Sequence, residues 1–290
     1  MGTFIEEAQK LLPDLYERTE TLPDEEQSYG KGDRIVLDFG HNRTAYFHFA
    51  CESEGIQDAP VFLKFRFCEL EREIDEECED YSGWISRSWI QEEWMHIDEL
   101  PRMVQLERRY AFRYVVISVI DTSEKFRVRF RNIRRKTVSS VREEDCIHFD
   151  ISDPLLKKID EVSVRTLANC MQTVFEDGPK RDRRLWLGDL RLQSLVNYHT
   201  FQDHDLVRRC LYLFAGLADE EGRIPACVFE RPKPHGDDTF LLDYSLFFLF
   251  VLVRISSVFK RQGNTGGTGS ISTAPDRRRP GICGQGRLCI

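Results

Sequence analysis

Within Asp177-Gly-Pro-Lys-Arg-Asp-Arg-Arg-Leu-Trp-Leu-Gly-Asp189, the carboxylates Asp177, Asp182 and Asp189 share one short segment with Arg181, Arg183, Arg184 and Trp186. Carboxylates accept hydrogen bonds from hydroxyls and move protons, and an indole face stacks on the apolar face of a sugar ring. These are the parts that cutting a sugar requires. The same residues also fit a charged loop between two helices, its acids neutralised by neighbouring arginines, because structural ion-pair networks look alike in sequence.

The segment resembles the signature of the bacterial-type α-L-rhamnosidases, six-hairpin glycosidases of the glycoside hydrolase family 78 kind. That signature reads Asp-x-Pro-x-Arg-x-Glu-Arg-x-Gly-Trp-x-Gly-Asp, and Asp177, Pro179, Arg181, Arg184, Trp186, Gly188 and Asp189 find places in it. The segment here is one residue shorter, and Arg183 or a gap stands where the family's general-acid Glu falls. By the resemblance, Asp177 and Asp189 hold sugar hydroxyls, Arg181 orients a carboxylate and Trp186 lines the pocket. Asp182 is the nearby carboxylate that can take the catalytic acid role. The chemistry implied is inverting hydrolysis of terminal rhamnosides, with acid and base about 6.5–9.5 Å apart to admit a water. The family's base Glu comes from far along its barrel and has no counterpart here, so the chain by itself is expected to be inactive. A carbohydrate is the implied partner, and neither metal nor cofactor is expected. The alternative reading is a non-catalytic β-sandwich that binds a glycan or another partner, with a vestigial helical segment.

The elements that must position these residues change character along the chain. Residues 1–31 read as a polar lead-in with a short helix at Phe4–Leu12. Residues 32–150 read as an antiparallel β-sandwich, from runs such as Arg34–Phe39, Ala45–Phe49, Val61–Phe67, Tyr110–Val119 and Phe126–Phe130. In Phe126-Arg-Val-Arg-Phe the alternation puts apolar side chains on one face and arginines on the other. The resemblance makes this the jelly-roll-like domain that precedes the family's barrel, with Leu37-Asp-Phe-Gly40 as opening strand and turn.

From 151 to 260 the period is helical. Leu156, Ile159, Val162, Leu167, Met171 and Val174 form one stripe, with Ser152 as the expected cap. Further helices are expected at Leu190–Tyr198, Leu206–Leu217 and Thr239–Val258, the last capped by Asp238. These would be the first hairpins of an (α/α)6 toroid. Residues 261–290, rich in Gly, Ser, Thr, Pro and Arg, read as a disordered tail. Its abrupt change of composition leads us to expect a truncated product with an out-of-frame end.

A net charge of −8 argues against a general nucleic-acid or anionic-membrane binder. No secretory signal opens the chain, and nine cysteines without Cys-x-x-Cys spacing fit reduced thiols, so a cytoplasmic protein is expected. The apolar run Leu246–Val253 is shorter than the ~20 residues of a membrane span and reads as a buried helix. Trp84, Trp89 and Trp94 form either a face of stacked indoles for carbohydrate or, the favoured reading, core packing. The basic stretch Arg127–Lys136 reads as a solvated strand face offsetting the acidic Glu69–Asp80.

Overall fold

The computed structural model describes residues 2–54, 60–76, 78, 81–84 and 86–264. The expected disordered tail lies, from residue 265, outside the described residues. The chain divides into two compact units. One comprises Pro13–Arg184 with Val196–Gln202; the other joins the residues up to Leu12, Leu185–Leu195 and those from Asp203 onward.

The first unit is built on an antiparallel sheet of seven strands: β1 (Tyr16–Thr21), β2 (Arg34–Glu54), β3 (Val61–Cys68), β4 (Glu92–Ile97), β5 (Arg102–Gln105), β6 (Tyr110–Thr122) and β7 (Arg127–Ser139). The order is β1-β7-β2-β6-β3-β4, with β5 also on β2. Part of the polar lead-in is therefore a strand of the sheet. Alternate residues point inward, as the two-residue period of a strand requires: Ile35, Leu37 and Phe39 on β2, Val128 and Phe130 on β7. The core is aromatic. Phe47 is fully buried and meets the rings of Phe39, Phe49, Phe65, Phe67 and Phe112 at 5.6–6.5 Å between centroids.

Two strands expected at Arg34–Phe39 and Ala45–Phe49 are one continuous strand. Gly40 bends it rather than ending it, with φ at +80°, a conformation that side-chain-bearing residues rarely adopt. The Asp38 carboxylate accepts the Gly40 N–H at 2.7 Å, and the register with β6 shifts between Asp38 and Arg43. β2 thus pairs β6 up to Ala45 and β7 from Ala45 onward. Arg135, with no exposed surface, fills the bend. Its guanidinium donates to the carbonyls of His41 (2.7 Å), Phe112 (3.1 Å) and Phe39 (3.5 Å) and to Glu20 Oε2 (2.7 Å). A buried cation is tolerable only with such a complete set of acceptors.

The basic strand β7 offsets different acids from those expected. Its cations meet Asp33, Glu54, Glu26, Glu20 and Glu17, through Arg127, Arg129, Arg131, Arg135 and Lys136 respectively. The tryptophans correct a second expectation. Trp84 is 94% exposed, Trp94 is exposed and Trp89 half-buried, so none of them packs the core. The sheet interior is filled by phenylalanines instead.

Helix α2 (Pro154–Cys170) follows the sheet in the same unit. Asp153, not Ser152, is its cap, accepting from the N–H groups of Leu155 (2.8 Å) and Leu156 (3.0 Å), with Pro154 opening the first turn. Val164, Leu167 and Ala168 are buried, whereas Leu156, Ile159 and Val162 of the same predicted stripe are exposed.

The second unit holds α1 (Gly2–Lys10), α3 (Leu187–Asn197, to Leu195), α4 (His204–Gly216) and α5 (Leu242–Asn264), with a small sheet of β8 (Leu185–Trp186), β9 (Cys227–Phe229) and β10 (His235–Gly236). α1 packs on α4. Phe4 stacks on Tyr212, and Arg209, almost fully buried, donates to the Ala8 carbonyl and pairs with Glu230 at 2.5 Å. Gly216 allows the close approach, since a Cβ there would lie 2.7 Å from Ile5 Cδ1. Asp203 caps α4 through the Leu206 N–H at 2.9 Å.

α5 departs from the sequence reading. It begins at Leu242, so Asp238 does not cap it. It is not a buried helix either: Phe248, Val251 and Ile255 are buried, while Leu246, Leu249, Phe250 and Val253 are exposed. Its span Leu242–Phe259 is long and apolar enough to cross a membrane by length and composition.

Candidate functional site

The signature segment runs across the division between the units, Asp177–Arg184 in one and Leu185–Asp189 in the other. Asp177–Arg184 is a hairpin. The Asp177 N–H bonds the Arg184 carbonyl at 2.8 Å, and the Arg181 N–H bonds that of Gly178 at 2.7 Å. Gly178 turns the chain with φ at +58°, a left-handed conformation that glycine adopts without steric cost. Arg183 is also left-handed, at +53°, a conformation that costs a side-chain-bearing residue about 1–2 kcal/mol.

The charged side chains sort into distinct roles. Asp177, with 30% of its side chain exposed, receives Arg181 Nη2 at 2.8 Å. Asp182, only 5% exposed, lies between two guanidinium groups, with Arg181 Nε and Arg184 Nε each 3.8 Å from a carboxylate oxygen. The structure therefore brings Asp177, Arg181 and Asp182 together. Trp186 and Asp189 stand in the other unit. Trp186 pairs with Cys227 in the small sheet, and Asp189 lies in the first turn of α3, where the helix dipole favours a negative charge.

The first unit clamps the hairpin from several sides. Arg109, just before β6, holds the Glu176 carboxylate with Nη2 at 2.5 and 2.7 Å and Gln172 Oε1 with Nη1 at 2.6 Å. Arg183 returns a bond to the Arg109 carbonyl at 2.8 Å. Burial, with Arg108 and Arg109 adding repulsion, lowers the Arg183 pKa below its ordinary value. Lys180 reaches Glu73 at 2.5 Å and Glu69 at 3.9 Å. Burial raises the Glu69 pKa, against the opposing pull of Lys180 and Asn42. The Arg184 guanidinium lies 5.4 Å from the centre of the Trp89 ring.

Sequence reasoning missed this clamp. Arg109, Glu73 and Trp89 are far from the signature in sequence, where Glu73 reads as part of an acidic run and Trp89 as core packing, and nothing local ties any of them to the hairpin. A cavity of about 570 Å³ between Trp94, Met103, Arg108 and Tyr110 contains none of the five expected site residues.

Comparison with known proteins bears on both units. The family model described as glycosyl hydrolase family 78 alpha-rhamnosidase N-terminal domain matches residues 7–137. That described as bacterial alpha-L-rhamnosidase 6 hairpin glycosidase domain matches residues 144–240. Among solved structures, a rhamnosidase from Klebsiella oxytoca with rhamnose bound is similar at 43% identity and a TM-score of 0.84, over 90% of this chain and 56% of that one. A GH78 family rhamnosidase of Bacillus sp. GL1 is similar at 22% identity and a TM-score of 0.63, over 82% of this chain and 23% of that one, a likeness of fold alone. No curated protein matches. The chain thus spans 56% of the length of the Klebsiella structure it matches. With the two domain models of one family following one another along its sequence, and that 43% identity beside them, the chain belongs to the bacterial α-L-rhamnosidase family.

Proposed function

We propose that the chain carries the sugar-recognising part of an inverting rhamnoside hydrolase. The observation that carries this is the hairpin itself, where a partly exposed Asp177 is oriented by Arg181 beside the enclosed Asp182. The similar Klebsiella protein has rhamnose bound. In this reading Asp177 and Asp189 accept hydrogen bonds from sugar hydroxyls, Arg181 fixes a carboxylate, and Trp186 supplies an apolar ring face. Asp182 hands the proton to the leaving oxygen. The kinked β2 divides a jelly-roll-like sandwich into two layers, and residues 151–260 form the opening hairpins of an (α/α)6 toroid.

By the resemblance, the carboxylate that activates water comes from far along the family's barrel, and the signature segment holds no counterpart of it. The chain alone is therefore proposed to bind rhamnose without turning over a rhamnoside. Calorimetric titration with L-rhamnose tests this: saturable binding is expected, lost in Asp177→Asn, with no nitrophenol released from p-nitrophenyl α-L-rhamnoside. Turnover that disappears in Asp182→Asn would refute the binding-only part and place Asp182 as the proton donor. The exposure of Trp84 and Trp94 favours a second reading, a glycan-binding sheet domain. Rhamnose binding unaffected by Asp177→Asn would select it.

A further inference from the structure

Along β1, Tyr16, Arg18 and Glu20 share one face, opposite Ser139, Thr137 and Arg135 of β7. The last turns of α2 dock beside them. Ser139 Oγ donates to the Ala168 carbonyl at 2.8 Å, and the Thr44 N–H of β2 donates to Asn169 Oδ1 at 3.2 Å. Arg165 lies one turn earlier on that same side of α2, three residues before Ala168 and four before Asn169. Between these elements is a cavity of about 280 Å³, with Arg18, Arg43, Glu143 and Asn169 in its wall. That is just below the about 300–1,000 Å³ of sites that take drug-sized ligands, and so is room for a smaller molecule. No residue of the signature segment lines it.

The charges around this cavity do not cancel. Three of the four acids in its wall are closely paired: Glu17 with Lys136 at 3.0 Å, Glu20 with Arg135 at 2.7 Å and Glu143 with Arg43 at 2.8 Å. Glu144, 70% exposed, has Arg142 at 3.9 Å and solvent around it. Arg18 and Arg165 are left over, since among the described residues neither has a carboxylate within ion-pairing distance. Both are close enough to act on Arg43. Burial first, and then repulsion from Arg165, Arg135 and Arg18 against the pull of Glu20, lowers the Arg43 pKa to about 10. Guanidinium groups on β1, β2 and α2 thus converge on one cavity. Like charges gathered this way repel one another unless an anion sits among them. The planar fork of a guanidinium fits a carboxylate or phosphate with two parallel N–H bonds.

We propose that this cavity is an anion site, separate from the signature hairpin, in which Arg18 and Arg165 hold a compact oxyanion (phosphate, sulfate or carboxylate), either free or carried on a single sugar. Arg43, fixed by Glu143, adds positive charge behind them.

Isothermal titration calorimetry of the full chain at low salt tests it, with inorganic phosphate, sulfate, glucuronate, glucose 6-phosphate and glucose. Each titration is repeated on Arg18→Gln, Arg165→Gln and Arg102→Gln. Arg102 is an exposed arginine outside this cavity, also without a carboxylate partner among the described residues. Saturable binding of at least one oxyanion ligand in the millimolar range is expected, with none of glucose. It should weaken about tenfold or more in Arg18→Gln and in Arg165→Gln, the size of one lost charge-assisted contact, and stay unchanged in Arg102→Gln. Glucose 6-phosphate or glucuronate binding more tightly than phosphate assigns a sugar-borne anion; equal affinities assign the free ion. The inference is overturned if none of the oxyanions binds, if glucose binds as well as they do, or if Arg102→Gln weakens binding as much as Arg18→Gln. Arg18 is exposed and pairs with no acid, so its substitution should leave the melting curve in place, which separates loss of the ligand from loss of the fold.

Discussion

The sheet and the helices of this protein treat their apolar residues differently. The sheet covers its own apolar residues: phenylalanines of β2, β3, β6 and β7 pack on one another, and the cations of β7 find carboxylates on neighbouring segments. The helices leave work undone. Leu155, Leu156, Ile159 and Val162 on α2 and Leu246, Leu249, Phe250 and Val253 on α5 stay exposed. A hydrophobic stripe therefore specifies a face and not the partner that covers it. In the sheet the partner is a neighbouring strand of the same chain; for the helices it is not among the described residues.

The comparison breaks most readily at the aromatic core. Phe47→Ala should cost about 3–5 kcal/mol, because a fully buried ring leaves a cavity that its neighbours cannot fill. Urea unfolding followed by sheet circular dichroism measures it, and a loss below about 1 kcal/mol would mean the core is not the tight unit described. Arg135→Ala comes next, at about 3 kcal/mol, since Glu20 and the carbonyls in the β2 bend lose their donor.

A smaller effect follows from His41, whose pKa is lowered to about 4 by burial first and by Arg43 and Arg135 next. The unfolded imidazole takes up its proton near pH 6.5 and the folded one does not. Its share of stability is thus complete above pH 6.5 and is lost as pH falls toward 4. A third of the side chain meets solvent, so the loss stays below those of the two substitutions. His41→Gln should flatten the melting temperature between pH 6.5 and 4, and an unchanged slope would remove His41 from the account. The smallest effect belongs to α5. Phe250→Ser should shift stability by no more than about 0.5 kcal/mol, yet reduce self-association measured by sedimentation, because it removes exposed apolar surface.

What the sequence disclosed follows the range of each signal. Alternation along Arg34–Phe39 and Phe126–Phe130 is local, and those strands formed. The helices near Leu190–Tyr198 and Leu206–Leu217 were legible from their period. Gly40 was misjudged, because a glycine can end a strand or bend it, and only the Arg135 guanidinium arriving from β7 decides which. The tryptophans were assigned to the core by residue type, and the phenylalanines had already filled it. At the hairpin, the acids and arginines were visible as a motif, but the clamp from Arg109, Glu73 and Trp89 depends on contacts about 70 to 107 residues distant in sequence.

The opening of the chain has a consequence for how it is made. α1 rests on α4, the Ala8 carbonyl being held by a guanidinium 201 residues later, while β1 pairs with β7, Glu20 with Arg135 lying 115 residues apart. On the ribosome, the first twelve residues emerge before anything they will touch exists. They must stay uncommitted until most of the described chain has been synthesised, with Glu6, Glu7 and Lys10 keeping the apolar Phe4, Ile5, Leu11 and Leu12 in solution. An amino-terminal fusion would act at this late step, slowing the closure of α4 rather than the folding of the sheet's aromatic interior.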